Sequence, residues 1–356
     1  LFCSLLFNKP DTVYLLFNMV KARKYVVKNH FKGLPKRDDF EVVETDLPPL
    51  QNGEFLIKTE WVSVDPGQRA FNFTLTVPYE QFGLQVGIVE DSKNPTYPIG
   101  TRIVTHNGWC DYHISSEEKL KADNIFNFKS HKLPDLKGMS PSNGLGALGI
   151  SGVSAYFGFL EICKPKAGET VVVTGAAGAV GSLVGQIAKI KGCKVIGFAG
   201  SDRKVEYLEK ELGFDKAFNY KTVDVNKVLN EAAPNGVDCY FDNVGGEISS
   251  IILNKMNTFG RVSVCGSISA YNELMIDSPK ASILQPAIVF KQLRLEGFLV
   301  TRWLDRWPEA FAELVKWISS GQVKVSEHIT EGFDNIYNAF IGMLNGENIG
   351  KAVVKI

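Results

Sequence analysis

The heptapeptide Gly175-Ala176-Ala177-Gly178-Ala179-Val180-Gly181 stands between an apolar β-type run, Val171 to Thr174, and a helix-period stretch, Ser182 to Lys191. A strand-to-helix turn without bulky side chains lets backbone N–H groups and the positive end of the helix approach a doubly charged diphosphate. A glycine-rich loop alone marks many ordinary turns. The strand before it and the helix after it make this one a dinucleotide cradle.

The residues beyond the loop select the cofactor. A second strand, Lys194 to Ala199, ends at Gly200-Ser201-Asp202-Arg203-Lys204, about 20 residues past the cradle, where an NAD enzyme places an acid on the ribose 2′-hydroxyl. No acid occupies the last positions of this strand. Gly200 and Ser201 leave room for a phosphate, and Arg203 and Lys204 offer it positive charge and donors, which favours NADPH over NADH. Two alternatives stand beside this. Arg203 and Lys204 also fit a solvated helix start, and Asp202, if turned inward, reverses the preference by repulsion.

Further polar residues fall at predicted strand ends, where open parallel sheets bind ligands. Asn243, in Tyr240-Phe241-Asp242-Asn243-Val244-Gly245-Gly246, is placed to hydrogen-bond the nicotinamide half, although a plain turn explains it equally. Tyr271 lies just past the next strand, in Val264 to Asn272. A phenol there can donate to a carbonyl oxygen as it becomes an enolate; the bland reading is a structural loop tyrosine. Phe298-Leu299-Val300 and Asn348 belong to the same rim and otherwise read as packing and a loop.

The elements that position these residues follow a simple order. Residues 21–116 are strand-rich, with β-type runs at Glu54 to Val64, Gln85 to Glu90 and Thr101 to Thr105 set off by Gly and Pro, which predicts a β-barrel-like domain. A loop-rich connector, Ser116 to Gly146, leads to a helix over Val153 to Cys163. Strands Val171–Thr174, Val195–Ala199, Ala217–Asn219, Cys239–Asp242, Gly260–Cys265 and Leu293–Phe298 then alternate with helices, which predicts a doubly wound parallel sheet and an α/β fold. Two amphipathic helices, Pro308 to Ser320 and Phe333 to Asn345, precede the apolar Ala352-Val353-Val354, a tail expected to return to the first domain.

The 356 residues are 45% hydrophobic and carry 39 basic and 39 acidic side chains, enough for two domains and with no net field to draw nucleic acid or an anionic membrane. A small neutral or singly charged substrate fits better. The six cysteines form no C-x-x-C pair and the five histidines show no ligand spacing with them, so no metal site is expected and the compartment reads as reducing and cytoplasmic. Residues 1–18 read as a poorly ordered extension ahead of Met19, with a signal peptide as the competing reading.

From Met19 onward the chain resembles the zinc-independent branch of the medium-chain dehydrogenase/reductases, in its NADP-dependent enone-reducing group. The resemblance rests on Ser154-Ala155-Tyr156-Phe157-Gly158, Ala176 to Gly181, Gly185-Gln186-Ile187-Ala188-Lys189, Phe218-Asn219-Tyr220-Lys221-Thr222 and Asp238 to Glu247. It implies a GroES-like catalytic domain over 19–146, a Rossmann NADP-binding domain over 147–316, and a segment 317–356 returning to the catalytic domain. It also implies that Gly178, Ala179, Val180 and Gly181 hold the diphosphate and that Lys204 and Tyr220 hold the 2′-phosphate end. Asn243, Cys265, Gly266, Ser267, Ile268, Ser269, Ala270, Tyr271, Phe298, Leu299, Val300 and Asn348 would meet the rest of the cofactor and the reaction centre.

Zinc alcohol dehydrogenases carry a Gly-His-Glu segment and a four-cysteine lobe; here Gly83-Leu84-Gln85-Val86-Gly87 occupies the former place and the latter is missing. Carbonyl polarisation is then expected from hydrogen bonds. Relatives typically read Asp-Pro-Tyr-Met-Arg where this chain has Asp65-Pro66-Gly67-Gln68-Arg69, so an aromatic wall of the pocket is lost at Gly67. The segment Tyr271 to Gln285, less proline-rich than its mammalian counterparts, is expected to border the pocket.

The activity implied is NADPH-dependent hydride addition to the β-carbon of α,β-unsaturated ketones and aldehydes, with Tyr271 and a cofactor ribose hydroxyl stabilising the enolate. 15-Oxoprostaglandins and lipid alkenals such as 4-hydroxynonenal are the implied substrates, and oxidation of a leukotriene 12-hydroxyl is a second activity. A homodimer is implied as well. A quinone reductase of the same branch and a non-catalytic NADPH-binding protein are the rival readings.

Overall fold

The computed structural model describes residues 19–121, 128–273 and 284–356. Residues 1–18, and most of the segment after Tyr271 expected to border the pocket, lie outside them.

Six parallel strands form one sheet in the spatial order Lys216–Asn219, Lys194–Ala199, Thr170–Thr174, Val237–Asp242, Met256–Val264 and Arg294–Gly297. Chain order runs outward from Thr170–Thr174 in one direction and from Val237–Asp242 in the other. These two neighbours therefore flank the switch point at which a doubly wound sheet opens a crevice. Every residue of Thr170–Thr174 is buried, because helices cover both faces and side chains alternate between them. Val171 and Val173 face one apolar cluster, with Leu183, Val184 and Ile187 of the helix Gly181–Ile190, while Val172 faces a second, with Ile196, Phe198 and Leu229.

The helix after the cradle lies hard against its neighbours. A Cβ on Gly185 would meet Phe214 Cζ at 1.9 Å, so the absence of a side chain there sets how closely the helix packs.

Strands of the other half are mainly antiparallel. A seven-stranded sheet runs Glu327–Glu331, Lys351–Lys355, Glu54–Ser63, Gln85–Ser92, Arg102–Thr105 and His131–Lys132, with Tyr112–Ser116 also paired to Glu54–Ser63. A three-stranded sheet, Phe40–Asp46, Lys21–Val27 and Tyr79–Glu80, packs beside it. Tyr25, Phe40, Trp109 and Phe340 fill the apolar centre of this half, with Phe40 stacked on Trp109 at 5.7 Å.

The last strand of the chain lies within the seven-stranded sheet. Val353 to Lys355 pair antiparallel with Ser63 to Trp61, after helices Trp307–Ser319 and Ile336–Leu344. Two details differ from the sequence-based expectation. The helix placed at Val153 begins at Ile150 and ends in a π-helical turn, Gly158–Cys163, which keeps the apolar face of Phe159, Ile162 and Cys163 buried. The fifth strand begins at Met256 rather than Gly260, bending through Phe259 at φ +63°.

Candidate active-site cleft

A cleft of about 1120 Å³ opens between the carboxyl ends of the parallel strands and the antiparallel half. Gly175, at φ +59°, turns the chain out of the first strand, and Gly178, Ala179, Val180 and Gly181 line the cleft beside it. A Cβ on Gly181 would lie 2.4 Å from the Gly175 carbonyl oxygen, so the loop closes this tightly only with glycine there. The tail completes the cradle. Gly350 N–H donates to the Ala177 carbonyl at 2.8 Å, and Asn348, also on the wall, donates through Nδ2 to the Gly350 carbonyl at 2.7 Å.

At the end of the second strand, Gly200 leaves a hollow. A Cβ on Gly200 would meet Tyr220 Oη at 3.3 Å and Lys221 Cε at 3.4 Å, and Lys204 lines the same corner. Lys204 Nζ donates to the Gly346 carbonyl at 2.6 Å. Burial, and then the neighbouring Lys221, hold the Lys204 pKa below the ordinary lysine value. Among the described residues no carboxylate forms an ion pair with either lysine, so two cations face a recess unneutralised. A phosphate is the group that such a corner fits.

Arg203 and Asp202 do not belong to this corner. Both are exposed and neither lines the cleft. Asp202 begins the helix Asp202–Glu206, and its Oδ1 accepts from Asn219 Nδ2 at 2.8 Å. Asp202 is turned to Asn219 and not into the cleft, and the second positive charge comes from Lys221, which in the sequence stands out only as part of a motif.

Asn243 follows the strand Val237–Asp242 and lines the switch point. Its Nδ2 donates to the Thr174 carbonyl at 2.7 Å, fixing the amide's orientation. The buried Asp242 carboxylate organises the turn: Oδ1 accepts from the N–H groups of Val244 and Gly245 at 2.9 Å, and Oδ2 from Ser249 Oγ at 2.6 Å.

Tyr271 ends the next turn, after the 3₁₀ segment Ile268–Ala270. Its ring lies in the cleft wall and its Oη accepts from Ser267 N–H at 3.2 Å. With an acceptor role already filled by the backbone, the phenolic proton remains available to a ligand. Burial pushes the Tyr271 pKa up, so the phenol keeps that proton. Cys265, Gly266, Ile268 and Ser269 also line the cleft, and burial pushes the Cys265 thiol up to about 12.

Three expected residues do not reach the wall. Ser267 and Ala270 hold the turn through the Ala270 N–H to Ser267 carbonyl bond at 2.9 Å. Phe298 points the other way, onto Gly158 and Trp303, with 5.4 Å between its ring and that of Trp303. Leu299 and Val300 line the cleft, and Leu299 is 62% exposed.

Gly67, Gln68, Phe71, Phe82, His106, Phe128, Leu145 and Ile150 make the far, largely apolar end. A Cβ on Gly67 would make only ordinary contact, with the Phe71 ring at 3.8 Å, so a side chain can start there without a clash. Gln68, on the same wall, is held by the backbone. It is buried, accepts from Asp65 N–H at 2.8 Å and donates to the Phe82 carbonyl at 2.9 Å. Asp65 also accepts from Lys351 Nζ at 2.9 Å. Among the described residues no group of three or more His, Cys, Asp or Glu side chains is placed to hold a metal ion.

A switch-point cleft with a glycine cradle, facing a second lobe that supplies an apolar pocket, defines a two-domain nucleotide-dependent oxidoreductase. Residues 179–320 match the family model "Zinc-binding dehydrogenase" and residues 23–122 the model "N-terminal domain of oxidoreductase". The chain belongs to the medium-chain dehydrogenase/reductase family, in the group that includes the prostaglandin reductases. Prostaglandin reductase 1 of Bos taurus is 48% identical, over 95% of this chain and all of its own length. The NADP(+)-dependent 2-alkenal reductase of Nicotiana tabacum is 35% identical over 95% of this chain and 98% of its own. Among solved structures, CurA from Vibrio vulnificus in complex with NADPH superposes with a TM-score of 0.85 at 33% identity, covering 94% of this chain and 98% of that one.

Proposed function

We propose that this protein uses NADPH to reduce the carbon–carbon double bond of α,β-unsaturated ketones and aldehydes, with 15-oxoprostaglandins and lipid alkenals as the substrate class. The observation that carries the reading is Tyr271, whose phenolic proton is left free by the Ser267 N–H bond on the same wall as the glycine cradle. Names of relatives, a prostaglandin reductase, a 2-alkenal reductase and a curcumin reductase, support the substrate class.

The residues present fit the cofactor. Gly178 to Gly181 and the tail at Asn348 would cradle the diphosphate, and Lys204, Tyr220 and Lys221 the 2′-phosphate. Asn243, the turn Cys265 to Tyr271, and Leu299-Val300 would line the nicotinamide end, with Ser267, Ala270 and Phe298 supporting that wall from behind. Bound there, NADPH supplies the hydride for the β-carbon. The chain's own part is to hold the alkene beside the nicotinamide in the apolar end, exclude water, and donate from Tyr271 Oη to the carbonyl oxygen as negative charge develops on it. A proton from water completes the α-carbon. No covalent link to the protein is needed. Oxidation of a leukotriene 12-hydroxyl would be a separate activity of the same cleft, in which hydride passes from the carbinol carbon to NADP+ and the hydroxyl proton is released.

We take the protein as a cytoplasmic homodimer. Five free cysteines among the described residues suit a reducing compartment. Among the described residues the edge strand Arg294–Gly297 pairs on one side only, close in sequence to the exposed Val289 and Phe290, and offers a surface for a second copy. NADPH consumption measured with an enone, an enal and a quinone tests the function. Turnover of the first two is expected; consumption with the quinone alone would overturn it.

A further inference from the structure

Arg69 neighbours the cleft residues Gly67 and Gln68 on the short helix Gly67–Ala70, yet it is fully buried and does not line the cleft. Among the described residues no carboxylate forms an ion pair with it. Its acceptors are neutral: Nε donates to the Gly33 carbonyl and to Asn272 Oδ1, both at 3.1 Å, and Nη2 reaches the Phe31 carbonyl at 3.5 Å. The guanidinium carbon stands 5.7 Å from the Phe31 ring centroid, and Nη1 has no partner among the described residues. Burying a cation on neutral acceptors is expensive, and burial holds its pKa below the ordinary arginine value.

Of these partners Phe31 and Gly33 belong to Arg69's own lobe, and only Asn272 comes from the other. Asn272 is the residue after Tyr271. The turn that carries Tyr271 is rooted in the nucleotide-binding half, where Ser269 N–H and Oγ both donate to the Val244 carbonyl, at 3.1 and 2.6 Å. Its far end has the Arg69 bond across the cleft. The phenol therefore lies between an anchor in one lobe and an anchor in the other.

We propose that Arg69 is a positioning residue: through Asn272 it fixes the Tyr271 phenol at the cleft wall and ties its placement to the seating of one lobe on the other. This rests on the reading of Tyr271 as the oxyanion donor. A guanidinium suits the role because its planar fork keeps direction, whereas an ammonium rotates.

The test is a cycle built on Asn272→Ala, Arg69→Met and Tyr271→Phe, with kcat for an enone and the Kd of NADPH read for each. Asn272 is exposed, so Asn272→Ala removes the acceptor without opening a cavity, and circular dichroism checks the fold of Arg69→Met. The expected result is a loss of about tenfold in kcat for Asn272→Ala, typical of a misplaced catalytic group, with NADPH affinity little changed. Asn272→Asp, which keeps the acceptor and adds a charge for Arg69, should restore most of that turnover. In the Tyr271→Phe background Asn272→Ala and Arg69→Met should cost nothing further, because the group they position is gone. An equal loss in both backgrounds would overturn the link while leaving the tyrosine's role intact. Unchanged kcat in Tyr271→Phe alone would instead remove that role, and with it the basis of this inference.

Discussion

The Lys204 ammonium donates to the carbonyl oxygen of Gly346 at 2.6 Å, joining the turn after the second parallel strand to the tail that returns to the antiparallel half. Lys204 lines the cleft together with Gly200 and with Lys221, which brings a second charge. Replacing Lys204 by Ala should weaken NADPH binding by roughly 10- to 100-fold, the worth of one charge-assisted bond, and leave NADH binding nearly unchanged. Lys221→Ala should act in the same direction, and fluorescence titration with both coenzymes reads the pair. Equal losses for NADPH and NADH would show that the corner does not hold the 2′-phosphate.

The same lysine sets a pH dependence. Its pKa is held below the ordinary lysine value by burial and by Lys221, and only the ammonium form attracts phosphate. NADPH affinity should therefore fall as pH rises, beginning below the usual lysine range, and binding there should take up a proton. Calorimetry in buffers of different ionisation enthalpy measures that uptake; in Lys204→Ala it should shrink.

How much of this corner could be read from the sequence depends on what fixes each residue. The strand Thr170–Thr174 and its loop were legible because a strand buried on both faces must be an unbroken apolar run, and the turn after it must lack side chains. Arg203 misled because successive helix residues point about 100° apart, so Arg203 and Lys204 cannot both face one recess. Lys221 carries no local signal: only the parallel pairing of Lys194–Ala199 with Lys216–Asn219 brings it beside Gly200. Phe298 and Leu299 divide in the same way, one side chain turned to Trp303 and the next to the cleft. The Lys351–Asp65 bond spans 286 residues, and no spacing rule reaches that far.

Tyr271→Phe should lower kcat with an enone by roughly 100-fold, the usual cost of losing one oxyanion donor, with little change in NADPH affinity. The Ser267 N–H would lose its acceptor, so a small loss of stability should accompany it. Because burial raises the tyrosine's pKa, the phenol stays a donor past the ordinary tyrosine range. A wild-type kcat that fell on the acid side of that range would have to be assigned to another group.

Gly67 is open to the cleft, with the Phe71 ring as the nearest neighbour a Cβ would meet, at 3.8 Å. Gly67→Tyr should place an aromatic ring at this end of the cleft, its Cβ in ordinary contact with Phe71. The expected outcome is a selective one: kcat/KM for a bulky 15-oxoprostaglandin falls by about tenfold or more, while that for a short alkenal holds or rises through tighter enclosure. The ratio of the two in parallel assays is the measurement. Proportional loss for both substrates would place Gly67 away from the substrate end.

Two histidines make the fold sensitive to acid. Burial lowers His106 to about 4 and His113 to about 3. His106 lies near the rings of Phe82 and Phe128, at 6.4 and 6.3 Å, with Asp65 pulling weakly the other way, and His113 has a buried Nε2 without a partner among the described residues and the repelling Lys119 nearby. A folded pKa below the unfolded one means that the unfolded chain binds more protons. Stability is then whole above the unfolded histidine value, near 6.5, and drains away as pH falls toward the folded values, at roughly 1.4 kcal/mol per unit of difference for each group. Urea midpoints should drop steeply between about pH 6.5 and 4. Carboxylates add their own acid loss, so the decisive comparison is between wild type and His113→Gln. The variant cannot charge at this position, and its midpoint should fall less over the same interval; parallel curves would show that His113 protonates as readily in the folded protein as in the unfolded chain.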